Sequence, residues 1–155
     1  MRSVFAGVLL LLSVAAVSKA DEPQLREHPI LSAMLKVNNG LRATVGLPVH
    51  QIDERLTRAA QDHANYMART GVFDHYANGG PSGRAQRFGY AGGVRENIAY
   101  GQRDPGAAFA EWRVHVTRGM GLAHWANICS GTRLAGFGCQ TSRSGVKYWV
   151  GVYGN

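Results

Sequence analysis

The chain has 155 residues, enough for one domain with a substantial buried core. Its 17 Lys and Arg residues against 10 Asp and Glu give a formal net charge of +7. The basic residues are mostly arginines spread over the whole length without a run, which argues against a nucleic-acid-binding surface and predicts only weak attraction to anionic surfaces.

Residues 1–20 have the pattern of a secretory signal peptide. Arg2 supplies a short positive start, residues 4–14 form an apolar run, and Ser18 and Ala20 are small residues at the positions that a signal peptidase reads before a cleavage site after Ala20. The alternative is a retained anchor, but the run is shorter than the roughly 20 residues that span a bilayer. No later segment is apolar enough to span one, so we expect an exported protein without a transmembrane segment. Removing the leader takes away two basic residues and no acidic ones, which lowers the net charge to +5.

Residues 21–29 are polar and are expected to be a loose lead-in to the folded domain, residues 30–155. A first helix follows, because apolar residues recur every three or four positions until Gly46 ends the pattern. Asn38 and Arg42 lie four residues apart on one face of this helix. This face is either exposed to solvent, or the two residues form an Asn-x-x-x-Arg motif.

A second helix is predicted between Asp53 and Gly71. Asp is a good N-cap because its carboxylate accepts hydrogen bonds from backbone N–H groups, and Gly adopts the left-handed conformation that ends helices. Small and apolar residues form one stripe between them, and His63 lies within this stripe. A histidine there is more often a hydrogen-bonded core residue than a ligand, so His63 is left out of the predicted site. His75 differs, because it follows the helix in a loop, where binding residues concentrate.

A third helix is predicted to begin at Asp104, with Pro105 in its first turn and Trp112 on its buried face. Glu111 and His115 lie four residues apart and are expected to pair on the exposed surface of this helix. The helix is expected to end and restart in the glycine-containing segment that follows.

The end of the chain is predicted to form a β-hairpin, with strands at residues 133–140 and 146–153 and a turn at residues 142–145. In the second strand the side chains of both alternating sets are mostly apolar or aromatic, so both faces of the sheet are expected to be covered. With helices before the strands, the fold class is α+β: a three-layer α-β-α sandwich with helices on both faces of a mostly antiparallel sheet.

Cys129 and Cys139 are the two cysteines of the chain. In an exported protein an even number of cysteines favours a disulfide over a metal site. A Cys129–Cys139 bridge would close a loop of about ten residues, contribute roughly 2–3 kcal/mol to stability, and tie the segment of His124 to the following strand. The alternative is a pair of buried free thiols.

Three short motifs occur in order along the chain. His75 follows the second helix, Glu96 and Asn97 begin a Glu-Asn-Ile-Ala run, and His124 opens a His-x-x-Asn-Ile run. These motifs resemble the cavity motifs of the CAP superfamily, the secreted SCP-like domains related to cysteine-rich secretory proteins, antigen 5 and pathogenesis-related 1 proteins. The resemblance covers roughly residues 30–154. It implies an α-β-α sandwich with a cavity that groups two His and two Glu, in which the two His hold a divalent ion.

The chain departs from the family pattern in three respects. Arg95 stands where the family usually has Gly, so either the backbone path differs or Arg95 points outward and partly screens Glu96. The second acidic residue of the family follows the Trp of the third helix, whereas Glu111 precedes Trp112. His124 lies twelve residues after Trp112, where the family spacing is roughly half a dozen.

The resemblance assigns His75, Glu96, Asn97 and His124 to one ligand cleft. Two imidazoles and a carboxylate can coordinate Zn²⁺ with one position left for water, so His75, His124 and Glu96 are the predicted metal ligands. No cofactor is required by this hypothesis, but Zn²⁺ or another divalent cation suits these donors. The alternative is a cluster that only connects loops by hydrogen bonds.

Two hypotheses for function follow from this cleft. In the first, the protein is an extracellular binding module, periplasmic if its source is bacterial, and acts as a monomer on a small apolar ligand such as a lipid or sterol, or on a cell-surface partner. In the second, it is a metal-dependent hydrolase with Glu96 as the general base. The sequence favours the binding module, because no serine or cysteine stands in the context of an activated nucleophile. A carboxylate that binds metal is also less available as a base.

Overall fold

The computed structural model of the protein describes residues 28–114 and 122–155. In this part of the chain the elements follow in the order α1 (Pro29–Thr44), β1 (Gln51–Ile52), α2 (Glu54–Thr70), α3 (Gly80–Arg87), β2 (Val94–Tyr100), α4 (Pro105–Val114), α5 (Leu122–Ile128), β3 (Leu134–Thr141) and β4 (Lys147–Gly154). A 3₁₀ turn, Ala77–Gly79, precedes α3. The predicted signal peptide, most of the predicted lead-in and His115 lie outside the described residues. None of the described helices is long and apolar enough to cross a membrane.

The four strands form one sheet in the order β1-β3-β4-β2. The short β1 pairs in parallel with β3, whereas β3–β4 and β4–β2 are antiparallel, which confirms the predicted mostly antiparallel sheet. The β3–β4 hairpin lies within one residue of its predicted bounds. Glu96 is opposite Val152 and Ala99 is opposite Trp149, so β2 is the outer neighbour of β4. An edge of the sheet is therefore formed by the strand that carries Glu96.

Helices cover both faces of this sheet, which confirms the three-layer α-β-α sandwich. On one face, side chains of α2 and α3 pack against Ile98, Val150 and Val152. On the other face, side chains of α1 and α4 pack against Phe137 and Trp149. Every residue of β4 after the first is buried, as expected for a strand covered on both sides.

Helix α2 has the predicted capping residues and lies very close to β3. The Asp53 carboxylate accepts hydrogen bonds from the backbone N–H groups of Arg55 (2.9 Å) and Leu56 (3.2 Å), and Gly71 follows the helix in the left-handed conformation at φ 74°. A Cβ atom on Gly136 of β3 would lie 2.2 Å from the backbone carbonyl carbon of Leu56. The absence of a side chain at this glycine lets the backbone of α2 rest directly on the sheet.

Asn38 and Arg42 form a buried motif and not a solvated face, since only 0% and 2% of their surfaces are exposed. Arg42 donates hydrogen bonds to backbone carbonyl groups in the loop after α1 and in the segment between α5 and β3. Asn38 Nδ2 donates to His50 Nδ1 (3.0 Å), and His50 Nε2 donates to Thr132 Oγ1 (2.9 Å). These bonds join α1 to the connection between α5 and β3.

The structure corrects the predicted disulfide, because Cys129 and Cys139 are both free. Cys129 follows α5, where Arg42 binds the carbonyl groups of Ile128 and Ser130 on either side of it (2.6 and 2.8 Å). The same guanidinium binds the segment just before β3, so Cys129 lies near the start of that strand. Cys139 lies five residues after the first residue of β3, about 17 Å at roughly 3.4 Å per residue. Bridged cysteines have Cα atoms within about 7 Å.

Candidate functional site

The predicted site residues meet at the outer edge of β2. Side chains along a strand alternate between the two faces of the sheet. Glu96 points to the face covered by α2 and α3, and the next residue, Asn97, points to the face covered by α5. Arg95 is exposed, so the second predicted alternative, in which its side chain points outward, is the one observed. It is directed to the face opposite to Glu96 and does not screen that carboxylate.

Glu96 forms a buried ion pair with Arg84 of α3. Arg84 Nη2 lies 2.6 Å from Glu96 Oε2, and both side chains are only 1% exposed. Arg84 also donates hydrogen bonds to the backbone carbonyl groups of Ala77 (2.5 Å) and His75 (3.1 Å). One guanidinium group therefore neutralises the carboxylate and fixes the loop that carries His75.

His75 lies between this ion pair and solvent. Its Nδ1 atom is 2.9 Å from Glu96 Oε1, and 37% of its side chain is exposed. A carboxylate oxygen accepts hydrogen bonds, so Nδ1 carries the hydrogen and Nε2 is the nitrogen left to accept a bond or bind a metal. Glu96 thus fixes both the orientation and the tautomer of His75.

His63 of α2 forms the buried wall behind Glu96. Its side chain is fully buried, and its Nε2 atom lies 3.9 Å from Glu96 Oε1. Neither ring nitrogen has a hydrogen-bond partner among the described residues. Burial lowers the pKa of His63 to about 4, although the charge of Glu96 opposes this shift. The prediction of a core histidine is confirmed, but the expected hydrogen bond is absent and the ring belongs to the surroundings of the site.

His124 reaches the site from the other layer of the sandwich. Asn97 Nδ2 donates to the backbone carbonyl of His124 (3.0 Å), and Asn127 Nδ2 donates to the Asn97 side chain (2.9 Å) and to the Glu96 backbone carbonyl (3.1 Å). These bonds attach α5 to β2 and place His124 opposite His75, with ring centroids 6.3 Å apart. The long spacing after Trp112 has not moved His124 away, and asparagine hydrogen bonds hold the segment that the disulfide was expected to hold.

The two histidines lie in a cleft of about 520 Å³, named here the edge cleft. Its apolar wall consists of Phe73, Ile98, Ala99, Tyr100 and Trp112, and its polar groups are Asp74, His75, Gln102, Glu111 and His124. Trp112 is fixed by a hydrogen bond from its Nε1 atom to the Ile98 carbonyl (3.0 Å). Glu111 lines this cleft, in contrast to its predicted place on the exposed surface of the third helix.

The donors of the edge cleft suit a divalent ion held by two imidazoles. Among residues 28–114 and 122–155, no three His, Cys, Asp or Glu side chains are grouped so as to hold a metal ion. Glu96 has one oxygen on Arg84 and the other on His75, so its predicted role as a third ligand does not fit. It lies behind His75, and the remaining coordination positions would belong to water or an external ligand.

Sequence reasoning missed the places of three residues at this site: His63, Arg84 and Glu111. His63 shares the apolar stripe of α2, and only the place of β2 in the sheet reveals that His63 faces Glu96. Arg84 stands five residues before a Gly-Tyr pair that leads into the Glu-Asn-Ile-Ala run. The available signal for the ion pair was an arginine on the short helix before a strand that carries a glutamate.

Comparison with known proteins agrees with this architecture. An outer surface protein of Borrelia burgdorferi is 17% identical at a TM-score of 0.70, over 80% of this chain and 90% of that one. An extracellular SCP-domain protein of Bacillus anthracis is 21% identical at a TM-score of 0.67, over 81% of this chain and 40% of that one. NaASP2 with Zn²⁺ is 18% identical at a TM-score of 0.59, over 79% and 77% of the two chains. At these identities the likeness concerns the fold.

No curated protein sequence matches the chain. The model of the cysteine-rich secretory protein family, CAP, matches residues 35–153, which is most of the chain. The matched segment contains both histidines of the edge cleft, the Glu-Asn-Ile-Ala strand and nearly all of the four-stranded sheet. The protein belongs to the CAP family of cysteine-rich secretory proteins.

Proposed function

We propose that the protein is an exported binding module whose edge cleft takes a small ligand with an apolar body and a polar or metal-bound head. The observation that carries this proposal is the approach of His75 and His124, 6.3 Å between ring centroids, in a cleft that also has an apolar wall with three aromatic side chains. Membership of the CAP family supports an extracellular module. The N-terminal leader pattern and relatives described as outer surface or extracellular proteins support export.

The lining of the edge cleft supports a ligand of mixed polarity. Small-molecule sites commonly measure about 300–1,000 Å³ and combine apolar walls with a few polar groups. The edge cleft, at about 520 Å³, has Phe73, Tyr100 and Trp112 on its apolar wall. A lipid-like body would cover these rings, and a head group would meet the two histidines.

The arrangement behind His75 supports a metal at the head of the cleft. Metal-bound histidines usually donate their other N–H to a carboxylate, a backbone carbonyl or water, which orients the ring and makes it a better ligand. Glu96 occupies that position, and Arg84 keeps it in place. The related structure described as NaASP2 with Zn²⁺ makes Zn²⁺ the first ion to test.

The geometry does not favour the hydrolase hypothesis with Glu96 as base. A general base must reach the proton that it removes, through a contact of about 2.6–3.2 Å or through one water. The Glu96 side chain is 1% exposed and both of its oxygens already accept bonds from Arg84 and His75. Because the carboxylate is buried between these two partners, a substrate or a metal-bound water does not reach it.

Calorimetric titration with Zn²⁺ tests the proposal directly. We expect about one site per chain, and His75→Ala and His124→Ala each to weaken Zn²⁺ binding at least about tenfold, because one imidazole with water holds Zn²⁺ poorly. His28→Ala is the matched control, since His28 is an exposed histidine at the start of α1 and should leave the affinity unchanged. Equal affinity in all three variants would mean generic surface binding and would remove the metal from the proposal.

The apolar part of the cleft needs a separate experiment. Denaturing extraction of the purified protein, followed by mass spectrometry, identifies any co-purified small molecule without a guess at its structure. We expect Phe73→Ser to reduce the recovered amount relative to the parent protein, because Phe73 is 42% exposed and lines the cleft. A ligand recovered equally from both proteins would bind elsewhere.

A further inference from the structure

A second concave surface, named here the hairpin groove, lies between the C-terminal turn of α2 and the β3–β4 turn. Its volume is about 720 Å³. Arg69 and Thr70 line it from α2, and Gln140, Ser142 and Arg143 line it from the hairpin. None of these residues takes part in the edge cleft, so the groove is a separate feature of the surface.

The hairpin groove carries two cations without a neutralising acid. Arg69 and Arg143 are both exposed, and no Asp or Glu lines the groove. Within the described residues neither arginine makes an ion pair, and Arg69 only lies over the ring of Tyr66 at 5.9 Å. Carboxylates elsewhere are mostly matched with their own arginines, such as Asp62 with Arg87. The groove therefore presents two guanidinium groups to an anionic ligand.

The rest of the lining is rich in amide and hydroxyl groups. Asn65, Thr70, Gln140, Thr141, Ser142 and Ser144 contribute them. The Ser142 and Ser144 hydroxyls lie 2.9 Å apart and form a hydrogen bond within the turn. The last turn of α2 brings the negative end of its dipole to this groove, so an anion must be held by the guanidinium groups and not by the helix.

An aromatic surface connects the hairpin groove to the edge cleft. Tyr148 lines the groove and stacks on Tyr100, its cross-strand neighbour, with ring centroids 6.0 Å apart. The ring of Tyr100 in turn packs against the ring of Phe73, with centroids 4.7 Å apart, and both residues line the edge cleft. Tyr100 is 53% exposed and Phe73 is 42% exposed. Tyr148 itself is buried, so an extended ligand that leaves the groove would contact Tyr100 and Phe73.

We propose that the hairpin groove binds an acidic oligosaccharide whose chain continues over Tyr100 towards the edge cleft. Sulfate or carboxylate groups meet Arg69 and Arg143, ring hydroxyls meet the amide and hydroxyl lining, and the apolar C–H face of a sugar lies on the exposed aromatic ring. A lipid bilayer would satisfy the charge but is too flat to enter a groove. This inference does not depend on the metal at His75 and His124, because neither residue lines the groove.

The test compares a sulfated octasaccharide with its desulfated counterpart by calorimetry, at physiological ionic strength and with a chelator present. We expect binding of the sulfated chain alone. The double variant Arg69→Gln/Arg143→Gln should weaken it at least about tenfold, because it removes both charge-assisted contacts. Arg95→Gln/Arg133→Gln removes the same charge from exposed arginines outside the groove and should change the affinity less than about threefold.

Two outcomes would overturn the proposal. Equal losses of octasaccharide affinity in the two double variants would mean that the ligand is attracted only by the overall positive charge. Binding to anionic phospholipid vesicles without binding to the octasaccharide would mean that the groove is a membrane contact. Tyr100→Ser tests the direction of the chain. It should weaken the octasaccharide and leave a sulfated disaccharide, which fits within the groove, unchanged; loss for both or for neither would contradict the path over Tyr100.

Discussion

At the scale of single residues, the site depends on a carboxylate that does not face the cleft. Glu96 holds His75 on one oxygen and Arg84 on the other, and both charged side chains are buried. Buried ion pairs add little net stability, but removal of one partner leaves an uncompensated charge in a poorly solvated place. The value of this pair is therefore in the position that it gives His75.

Glu96→Gln is expected to destabilise the protein by about 3–5 kcal/mol, since Arg84 stays charged and buried without its counter-ion. Glu54→Gln is the matched control, because Glu54 pairs with Arg58 on the surface of α2 with 58% of its side chain exposed. The control should change stability by less than about 0.5 kcal/mol. Urea unfolding at neutral pH measures both. A loss below about 1 kcal/mol for Glu96→Gln would show that the pair is solvated in solution.

The two buried histidines, His50 and His63, have similarly lowered pKa values but different hydrogen-bond partners. His50 has a partner on each ring nitrogen, Asn38 on Nδ1 and Thr132 on Nε2. His63 has no hydrogen-bond partner on either nitrogen among the described residues. Burial lowers the pKa of each to about 4, with Arg42 adding to the effect at His50. Both are neutral at pH 7, but only His50 completes a hydrogen-bond network.

At the scale of secondary-structure elements, the close contact between α2 and β3 determines whether the His63 side chain can reach Glu96. Gly136 and Gly138 lie directly under the helix backbone, where added Cβ atoms would stand 2.2 Å from Leu56 and 2.5 Å from Ala60. The same helix turns its alanines and His63 toward the sheet. Small residues on both sides thus bring α2 close enough for His63 to approach Glu96.

Gly136→Ala is expected to cost about 3 kcal/mol or more, because the new methyl group meets backbone atoms that cannot move without shifting α2. Gly40→Ala is the control: a Cβ there meets no atom within 4 Å, and Gly40 lies in α1. That change should stabilise the protein by about 0.5–1 kcal/mol, since alanine is the better helix former. Thermal unfolding of both variants checks the pair, and equal stability would mean that α2 does not rest on β3.

The opposite layer is joined to the site by α5. Asn127 binds both the Asn97 side chain and the Glu96 backbone, and Asn97 binds the backbone of His124. Side-chain amides thus dock a short helix on an edge strand whose outer backbone groups face no further strand among the described residues. This explains how His124 keeps its place after a longer connection than the family usually has.

At the scale of the whole molecule, the buried histidines predict a pH dependence of stability. In the unfolded chain a histidine binds a proton near pH 6.5, whereas His50 and His63 in the folded protein do so only near pH 4. Between these values the unfolded state binds more protons, so stability falls as the pH drops from about 6.5 to 4. Each histidine contributes at most about 3 kcal/mol to this loss.

Urea unfolding at pH 7, 5.5 and 4.5 measures this dependence. His63→Leu should change stability little at pH 7, because no hydrogen bond is lost, and should remove about half of the decrease towards pH 4.5. His50→Leu should cost about 1–3 kcal/mol already at pH 7, since Asn38 and Thr132 lose their partner. The aspartates with lowered pKa, Asp53 and Asp104, lose their contribution to stability mainly as the pH falls below their usual pKa of 3.8, so they add little to the change in this window. Constant stability from pH 7 to 4.5 would contradict the neutral buried histidines.

The sequence by itself determined the features that depend on neighbouring residues. The bounds of α2 follow from local chemistry, because an Asp N-cap and a left-handed Gly act on the backbone beside them. The hairpin follows from the alternation of apolar residues around a turn. The motif order placed His75, Glu96 and His124 in one family pattern, and the structure brings them to one edge of the sheet.

Only the tertiary structure decided which distant side chains meet. His63, Arg84 and Glu111 are each recognisable on their own helices, but their nearness to the cleft depends on the strand order and on how closely α2 rests on β3. The two cysteines stay apart for the same reason, because the length of β3 separates them. Spacing along a chain fixes the face of an element on which a residue lies, whereas the partner across the layer is set by packing of the whole sandwich.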